Sequence, residues 1–259
     1  MHPAELTSST QDYLKTIWRL GEWEPERVTT TSLAARMGLA PSTVSEALKK
    51  LTAQGLVSRP AYGVVELTAQ GRDAAVHMVR RHRLLEMFLA TELGYPWDEV
   101  HDEAEVLEHA VTDRFIDSLD AKLGHPGTDP HGDVIPSPNG TITPPDALPL
   151  TDVPAPSLVR VTRVSDADPE TLRLLGRYGI GPGSLLRVLP NSRARGAVRV
   201  RPEADDAASP PGAEEPSRDS PGREPAVPGR RHREPAEDGV ELNILVAEAV
   251  RVHRVARAT

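Results

Sequence analysis

The residues best equipped for chemistry are a run of acids and histidines in the middle of the chain. Glu105, Glu108 and His109 stand at i, i+3 and i+4, so a helix would place them on one face. His101 lies four residues before Glu105, and His82 and Glu86 form another i, i+4 pair upstream. Carboxylate oxygens combined with imidazole nitrogens suit Mn²⁺, Fe²⁺ or Co²⁺. From Asp98 to Asp120, nine acids face the single base Arg114, a balance of −8 that equals the net charge of the whole chain. Such density repels itself unless something positive relieves it. A divalent ion would do so, a solvated acidic face is the alternative, and the spacing admits both. A catalytic metal with Glu105 or Glu108 as general base is a third option, but no nucleophile motif or substrate loop accompanies it.

A second constellation has the opposite charge. Thr31 to Met37 reads as a short helix with Leu33, Ala34 and Met37 on one face, and Gly38 follows where a helix end favours φ > 0. Pro41 then opens a second helix, in which Val44, Leu48 and Leu51 form the apolar stripe. Ser42, Thr43, Ser45, Glu46, Lys49 and Lys50 occupy its other faces. The segments 55–60 and 64–68 flank Ala61-Tyr62-Gly63 as a β-hairpin. Two short helices around a glycine turn, followed by a hairpin, predict a winged helix-turn-helix. Arg36, Lys49, Lys50 and Arg59 against Glu46 give this stretch a local balance of +3. Its hydroxyls and bases can hold phosphates and reach base edges. A helical hairpin that contacts protein is the alternative.

These side chains need elements to position them. A long helix is predicted from about Gln70 to Glu92 and another from Asp98 to His109. Proline divides the rest: nine lie between Gly124 and Ser157 and eight between Pro202 and Glu237. The first stretch reads as a partly structured linker. The second has too few apolar residues to fold and is expected to be a disordered insertion between strands. Beyond Leu158 short β-like runs predominate. The chain has 259 residues and no cysteine, which excludes disulfides, Cys-ligated zinc, iron–sulfur clusters and cysteine catalysis. Aromatic residues make up only 3%, so Leu, Val, Ile and Ala must build the cores. There is no membrane-length apolar run and Met1 to Thr10 is polar, so a soluble, cytoplasmic protein is expected.

In combination, these stretches resemble the DtxR/MntR family of metal-activated transcriptional repressors. The resemblance rests on residues 12–18 (DYLKTIW), 41–46 (PSTVSE), 67–72 (LTAQGR), 81–86 (RHRLLE), 100–105 (VHDEAE) through Glu108-His109, and 129–136 (DPHGDVIP). It implies a mainly α protein: a winged helix-turn-helix over 1–75, a helical metal-binding and dimerisation domain over 76–140, and a Pro-rich linker over 141–157. A small SH3-like (FeoA-like) β-barrel would then span 158–259, with the insertion at 202–237.

The resemblance also implies site roles. Asp12, Glu105, Glu108 and His109 would form a primary metal site. His82, Glu86 and His101 would form an ancillary one, completed from the barrel by Asp168 or Glu170. Iron-type members carry sulfur ligands at the positions of Asp12 and Glu105, whereas manganese-type members carry carboxylates. The expected ion is therefore Mn(II), with Fe(II) as the alternative and other divalent transition metals binding in vitro. Manganese-type short members have a second acid where this chain has Lys15, and His101 and the barrel belong to the longer, iron-type layout. The implied partners are a second copy of the chain and double-stranded operator DNA, contacted by Pro41, Ser42, Thr43, Ser45, Glu46, Lys49, Lys50 and Arg59. No membrane partner and no enzymatic activity are expected, and the genes controlled would serve metal-ion uptake. A metal-independent winged-helix regulator and a metallohydrolase are the competing classes.

Overall fold

The computed structural model describes residues 5–23, 27–59, 63–190, 196–204 and 239–255. Helix α1 (Ser8–Trp23) buries Gln11, Tyr13, Leu14, Lys15 and Ile17. Helices α2 (Thr30–Met37) and α3 (Pro41–Ala53) make the helix-turn-helix. Thr29 and Ser32 cap α2 reciprocally, and Gly38 closes it at φ 65°. Proline opens α3, and Val44, Leu48 and Leu51 are buried against α1 and α2 as the stripe predicts. Strands β1 (Val57–Ser58) and β2 (Glu66–Leu67) pair antiparallel as the base of the wing. Its expected tip at Ala61-Tyr62 lies outside the described residues.

Helix α4 (Ala69–Thr91) is the central rod, capped by the Thr68 hydroxyl, which accepts from Gly71 N–H. A side chain at Gly71 would collide with the Leu56 carbonyl, its Cβ only 1.9 Å from the oxygen, so glycine lets the rod abut the wing. Helices α5 (Val100–Leu107) and α6 (Asp113–Lys122) pack on α4 around Leu84, Leu85, Leu89, Ile116 and Leu119. Ile116 and Leu119 thus serve the intramolecular core, while Phe115 and Val106 remain exposed.

The C-terminal part is an antiparallel sheet. Its strands are β3 (Leu148–Pro149), β4 (Ser157–Val164), β5 (Leu185–Val188), β6 (Ala197–Glu203), β7 (Val240–Asn243) and β8 (Val250–Arg254). Helices α7 (Pro169–Arg177) and α8 (Ile244–Glu248) cover its core with Leu172, Leu175, Val246 and Ala247. The strand order is β3-β8-β4-β5-β6-β7. The expected barrel is therefore a small open sheet among the described residues, because edge strands β3 and β7 do not pair. The sheet begins inside the stretch expected as linker, where Leu150 and Val153 are fully buried in its core. The expected insertion also starts too early. Pro202 and Glu203 belong to β6, paired with Leu186 and Leu185 of β5. Residues 205–238 lie outside the described residues.

The sheet docks on the helical part. Arg163 of β4 stacks its guanidinium 4.0 Å from the Trp23 ring and donates to Asp133 Oδ1 at 3.0 Å. Trp97, between α4 and α5, packs on the core of the sheet. At Gly132 (φ 88°) an added Cβ would lie 2.1 Å from the Thr162 carbonyl oxygen, so glycine allows the 129–136 loop to lie against β4.

Candidate metal centre and DNA-reading helix

Two clusters of metal-ligating atoms lie between α1, α4, α5 and the sheet. The first joins Asp12 of α1 with Glu108 and His109, just past the end of α5. His109 Nε2 lies 2.9 Å from Asp12 Oδ1 and 3.5 Å from Glu108 Oε1. Asp12 Oδ1 is buried and has no hydrogen-bond partner despite that short approach. Donors converging without a shared hydrogen are what a cation requires. His109 Nδ1 donates to Gln11 Oε1 at 2.8 Å, which turns the Nε2 lone pair toward Asp12 and Glu108. Sequence reasoning missed Gln11; its position next to Asp12 was the available signal. Burial holds the Asp12 carboxyl above its ordinary range, against the charges of His109 and Lys15. Asp12 sits fifth in α1, beyond the first turn where the helix-end charge acts.

Glu105 is one step removed. Its Oε1 accepts from Lys15 Nζ at 2.6 Å, and the same ammonium donates to Glu108 Oε1 at 2.5 Å. The other Glu108 oxygen meets His82 Nδ1 at 2.6 Å. Burial would push the Glu108 carboxyl up, but the hydrogen bond and charge of His82, with Lys15 behind them, hold it down to about 2.

The second cluster contains His82 and Glu86 of α4, His101 of α5, and Asp166. Glu86 Oε1 lies 2.9 Å from His82 Nε2 and 3.2 Å from His101 Nδ1, and Asp166 Oδ2 lies 3.1 Å from His101 Nδ1. Asp166 follows β4, so the sheet does bring a candidate donor to this cluster, and it is Asp166 rather than Asp168 or Glu170. Asp168 and Glu170 are exposed at the start of α7, and Asp168, just before it, caps that helix by accepting from Glu170 N–H and Thr171 N–H. Asp166 also pairs with Arg19 of α1. Burial, then Arg19 and His101, act on Asp166, and the two cations win, holding its carboxyl well below the ordinary value. His101 is lowered by burial but raised further by its hydrogen bonds to Asp166 and Glu86, reaching about 9.

His82 therefore has one nitrogen on each cluster. A further buried group joins Glu86 to Asp129 and His131, which sequence reasoning used only as part of a family segment. His131 Nε2 meets the Trp97 carbonyl at 2.6 Å, while its Nδ1 and Glu86 Oε2 have no hydrogen-bond partner. A cavity of about 420 Å³ reaches both clusters, lined among others by Asp12, Lys15, Arg19, His101, Glu105 and Asp166.

Salt bridges relieve much of the acidic run around these clusters. Asp98 accepts from Arg173 at 2.7 Å, Asp113 from Arg81 at 2.6 Å, and Asp120 lies 2.9 Å from Arg80. Charge density alone therefore does not demand an ion. The converging donors make the case for one.

On α3, Pro41, Ser42, Thr43, Glu46, Lys49 and Lys50 are exposed and Ser45 is half-buried, while Arg59 is exposed at the wing. Glu46 Oε1 accepts from Lys49 Nζ at 2.6 Å, which lowers the Glu46 carboxyl. No helix is long and apolar enough to cross a membrane among the described residues.

Comparison with known proteins agrees with this layout. Residues 5–65 match the iron dependent repressor N-terminal DNA binding domain, 68–137 its metal binding and dimerisation domain, and 148–206 the FeoA domain. The chain is 32% identical over 210 residues to the iron-dependent repressor IdeR of Mycobacterium tuberculosis, covering 76% of this chain and 89% of that protein. It is 34% identical over 132 residues to the diphtheria toxin repressor of Corynebacterium jeikeium, covering 51% and 55% of the two. A structure of a manganese-dependent transcriptional repressor in complex with manganese superposes with a TM-score of 0.79 at 43% identity, covering 95% of this chain and all of that one. The manganese regulator SloR superposes with a TM-score of 0.71 at 27% identity, covering 96% of this chain and all of that one. The chain belongs to the iron-dependent repressor, or DtxR, family of metal-dependent transcriptional repressors, whose members bind DNA and are not enzymes.

Proposed function

We propose that this protein is an Mn(II)-activated repressor that binds double-stranded operator DNA as a homodimer in the cytoplasm and controls metal-ion uptake genes. The observation that carries the metal is the donor set. Asp12, Glu108 and His109 offer only oxygen and imidazole nitrogen, and the chain has no cysteine to supply a thiolate. That chemistry favours Mn(II) over thiophilic ions. A bound divalent ion would neutralise the carboxylates and ligate α1 and the end of α5 together.

The chain's own residues convert this into DNA affinity. Asp12 ties α1, and α1 packs on the helix-turn-helix core through Tyr13, Leu14 and Ile17. Ligation at Asp12 therefore restrains the DNA-reading unit against α4 and α5. Ser42, Thr43, Ser45 and Glu46, behind Pro41, face base edges; Lys49, Lys50 and Arg59 hold phosphates. Exposed Phe115 and Val106 give α5 and α6 an apolar surface suited to a second copy. Metal and DNA must each favour the same form, so each tightens the other's binding.

Fe(II) is the second reading, favoured by iron-dependent relatives and by the separate cluster of His82, Glu86, His101 and Asp166. Metal-by-metal titration with a DNA-binding readout decides between the two. Binding to palindromic promoter DNA should require Mn(II) and vanish in chelator. Equal affinity in chelator overturns activation by metal, and a response to Fe(II) alone overturns manganese. Glu108→Ala and His109→Ala should lose the response while remaining folded.

A further inference from the structure

Lys15 is a charged residue whose side chain is only 3% exposed, placed one turn after Asp12 on the same face of α1. Its ammonium sits between Glu105 Oε1 at 2.6 Å and Glu108 Oε1 at 2.5 Å. Those two carboxylates, with His82 Nδ1, also form a group of converging ligand atoms in their own right. This group shares Glu108 with the cluster of Asp12, Glu108 and His109. The Glu108 carboxylate is thus arranged as a bridge between two places for positive charge. A side chain of the protein fills one of them.

We propose that Lys15 is a tethered cation that takes the place of a second metal ion, so that the primary centre of each protomer binds a single divalent ion between Asp12, Glu108 and His109. Charge supports this count. Asp12, Glu105 and Glu108 bring three negative charges, and Lys15 with one divalent ion balances them. A second divalent ion would leave an excess of two positive charges in a largely buried space, which is costly. Ammonium supplies charge but no coordination, so Glu105 pairs with Lys15 and is excluded from the ligand set. Lys15 sets the number of ions, and the donors around Asp12 set their kind.

This inference rests on the primary centre being a metal site. The test counts Mn(II) bound per protomer by equilibrium dialysis, together with the electron paramagnetic resonance of the bound ions. The full-length chain is used in a His101→Ala, Asp166→Asn background, which removes two of the four donors of the second cluster and none of the first. With Lys15 present, one ion with the hyperfine pattern of isolated Mn(II) is expected. Lys15→Glu restores the charge balance for two ions, and a doubled count with an exchange-coupled spectrum is expected. If Lys15→Glu fails to fold by circular dichroism, Lys15→Asp carries the same charge on a shorter side chain and is read in the same way. Two coupled ions with Lys15 present, or a single ion after its replacement, overturns the proposal. No bound ion in any variant defeats the metal-site reading itself.

Discussion

His101 Nδ1 lies 3.1 Å from Asp166 Oδ2, so the sheet at the end of the chain closes a cluster begun on α4 and α5. The same carboxylate pairs with Arg19 of α1, tying the DNA-binding part, the helical part and the sheet to one side chain. Removing one partner of a buried ion pair costs about 3–5 kcal/mol. Asp166→Asn should therefore lower the thermal midpoint in chelator and reduce the number of metal ions held tightly. Asp168→Asn should do neither beyond the small cost of a weakened helix cap, on the order of 1 kcal/mol or less. Calorimetric titration and thermal melting of both variants check this, and equal effects would mean that Asp166 has no special place.

Gln11 should matter through His109. Losing an outer partner of a ligating histidine commonly weakens metal binding by about 10–100-fold. Gln11→Ala should show a loss in that range with DNA affinity at saturating metal nearly unchanged. Gln11→Glu, which still accepts from His109 Nδ1, should recover most of it. A Gln11→Ala variant with unaltered metal affinity would remove Gln11 from the centre.

On α3, the two kinds of contact separate experimentally. Lys50→Ala should weaken binding to all sequences alike and reduce the salt dependence by about one released counterion. Glu46→Gln should change preference at one base position, by about 1–3 kcal/mol. It also frees Lys49, whose ammonium is 2.6 Å from Glu46 Oε1 before DNA arrives. Binding measured across salt concentrations and operator variants separates these outcomes, and a uniform loss from Glu46→Gln would argue against base contact.

The metal-free protein should lose stability on both sides of a pH window. His101 is raised from 6.5 to about 9. Its contribution is complete below about 6.5 and is lost as pH rises through about 9. Glu108 is lowered from 4.5 to about 2, so its contribution is present above about 4.5 and lost as pH falls toward about 2. Melting in chelator should show an alkaline decline that His101→Gln abolishes. Saturating metal should flatten the same limb, because only neutral imidazole can ligate. An alkaline limb that survives His101→Gln assigns the effect to another group.

Much of this organisation was legible from spacing. The α3 stripe, the Gly38 turn and the α4 pair of His82 and Glu86 follow from helical periodicity, which depends only on local sequence. Placing Glu105 and Glu108 at i and i+3 correctly put them near one another, but it could not reveal Lys15 between them. That contact spans about ninety positions and depends on how α1 lies on α4 and α5. The candidate donor from the sheet was misplaced for a related reason. Asp168 and Asp166 are two residues apart, and only the path of the chain after β4 decides which one turns inward and which caps α7. The closed barrel was expected by analogy, and strand periodicity does not specify closure.

Gln11 and Asp12, neighbours on α1, reach opposite nitrogens of the one His109 ring. Each residue of a helix advances it by about 1.5 Å. Sliding α1 by a single position would put Gln11 or Tyr13 where Asp12 now stands, and neither offers a carboxylate. The imidazole thus works as an index pin that sets the register of α1 along its axis, while Lys15 and Arg19, paired further along the same helix, keep α1 from swivelling about that point.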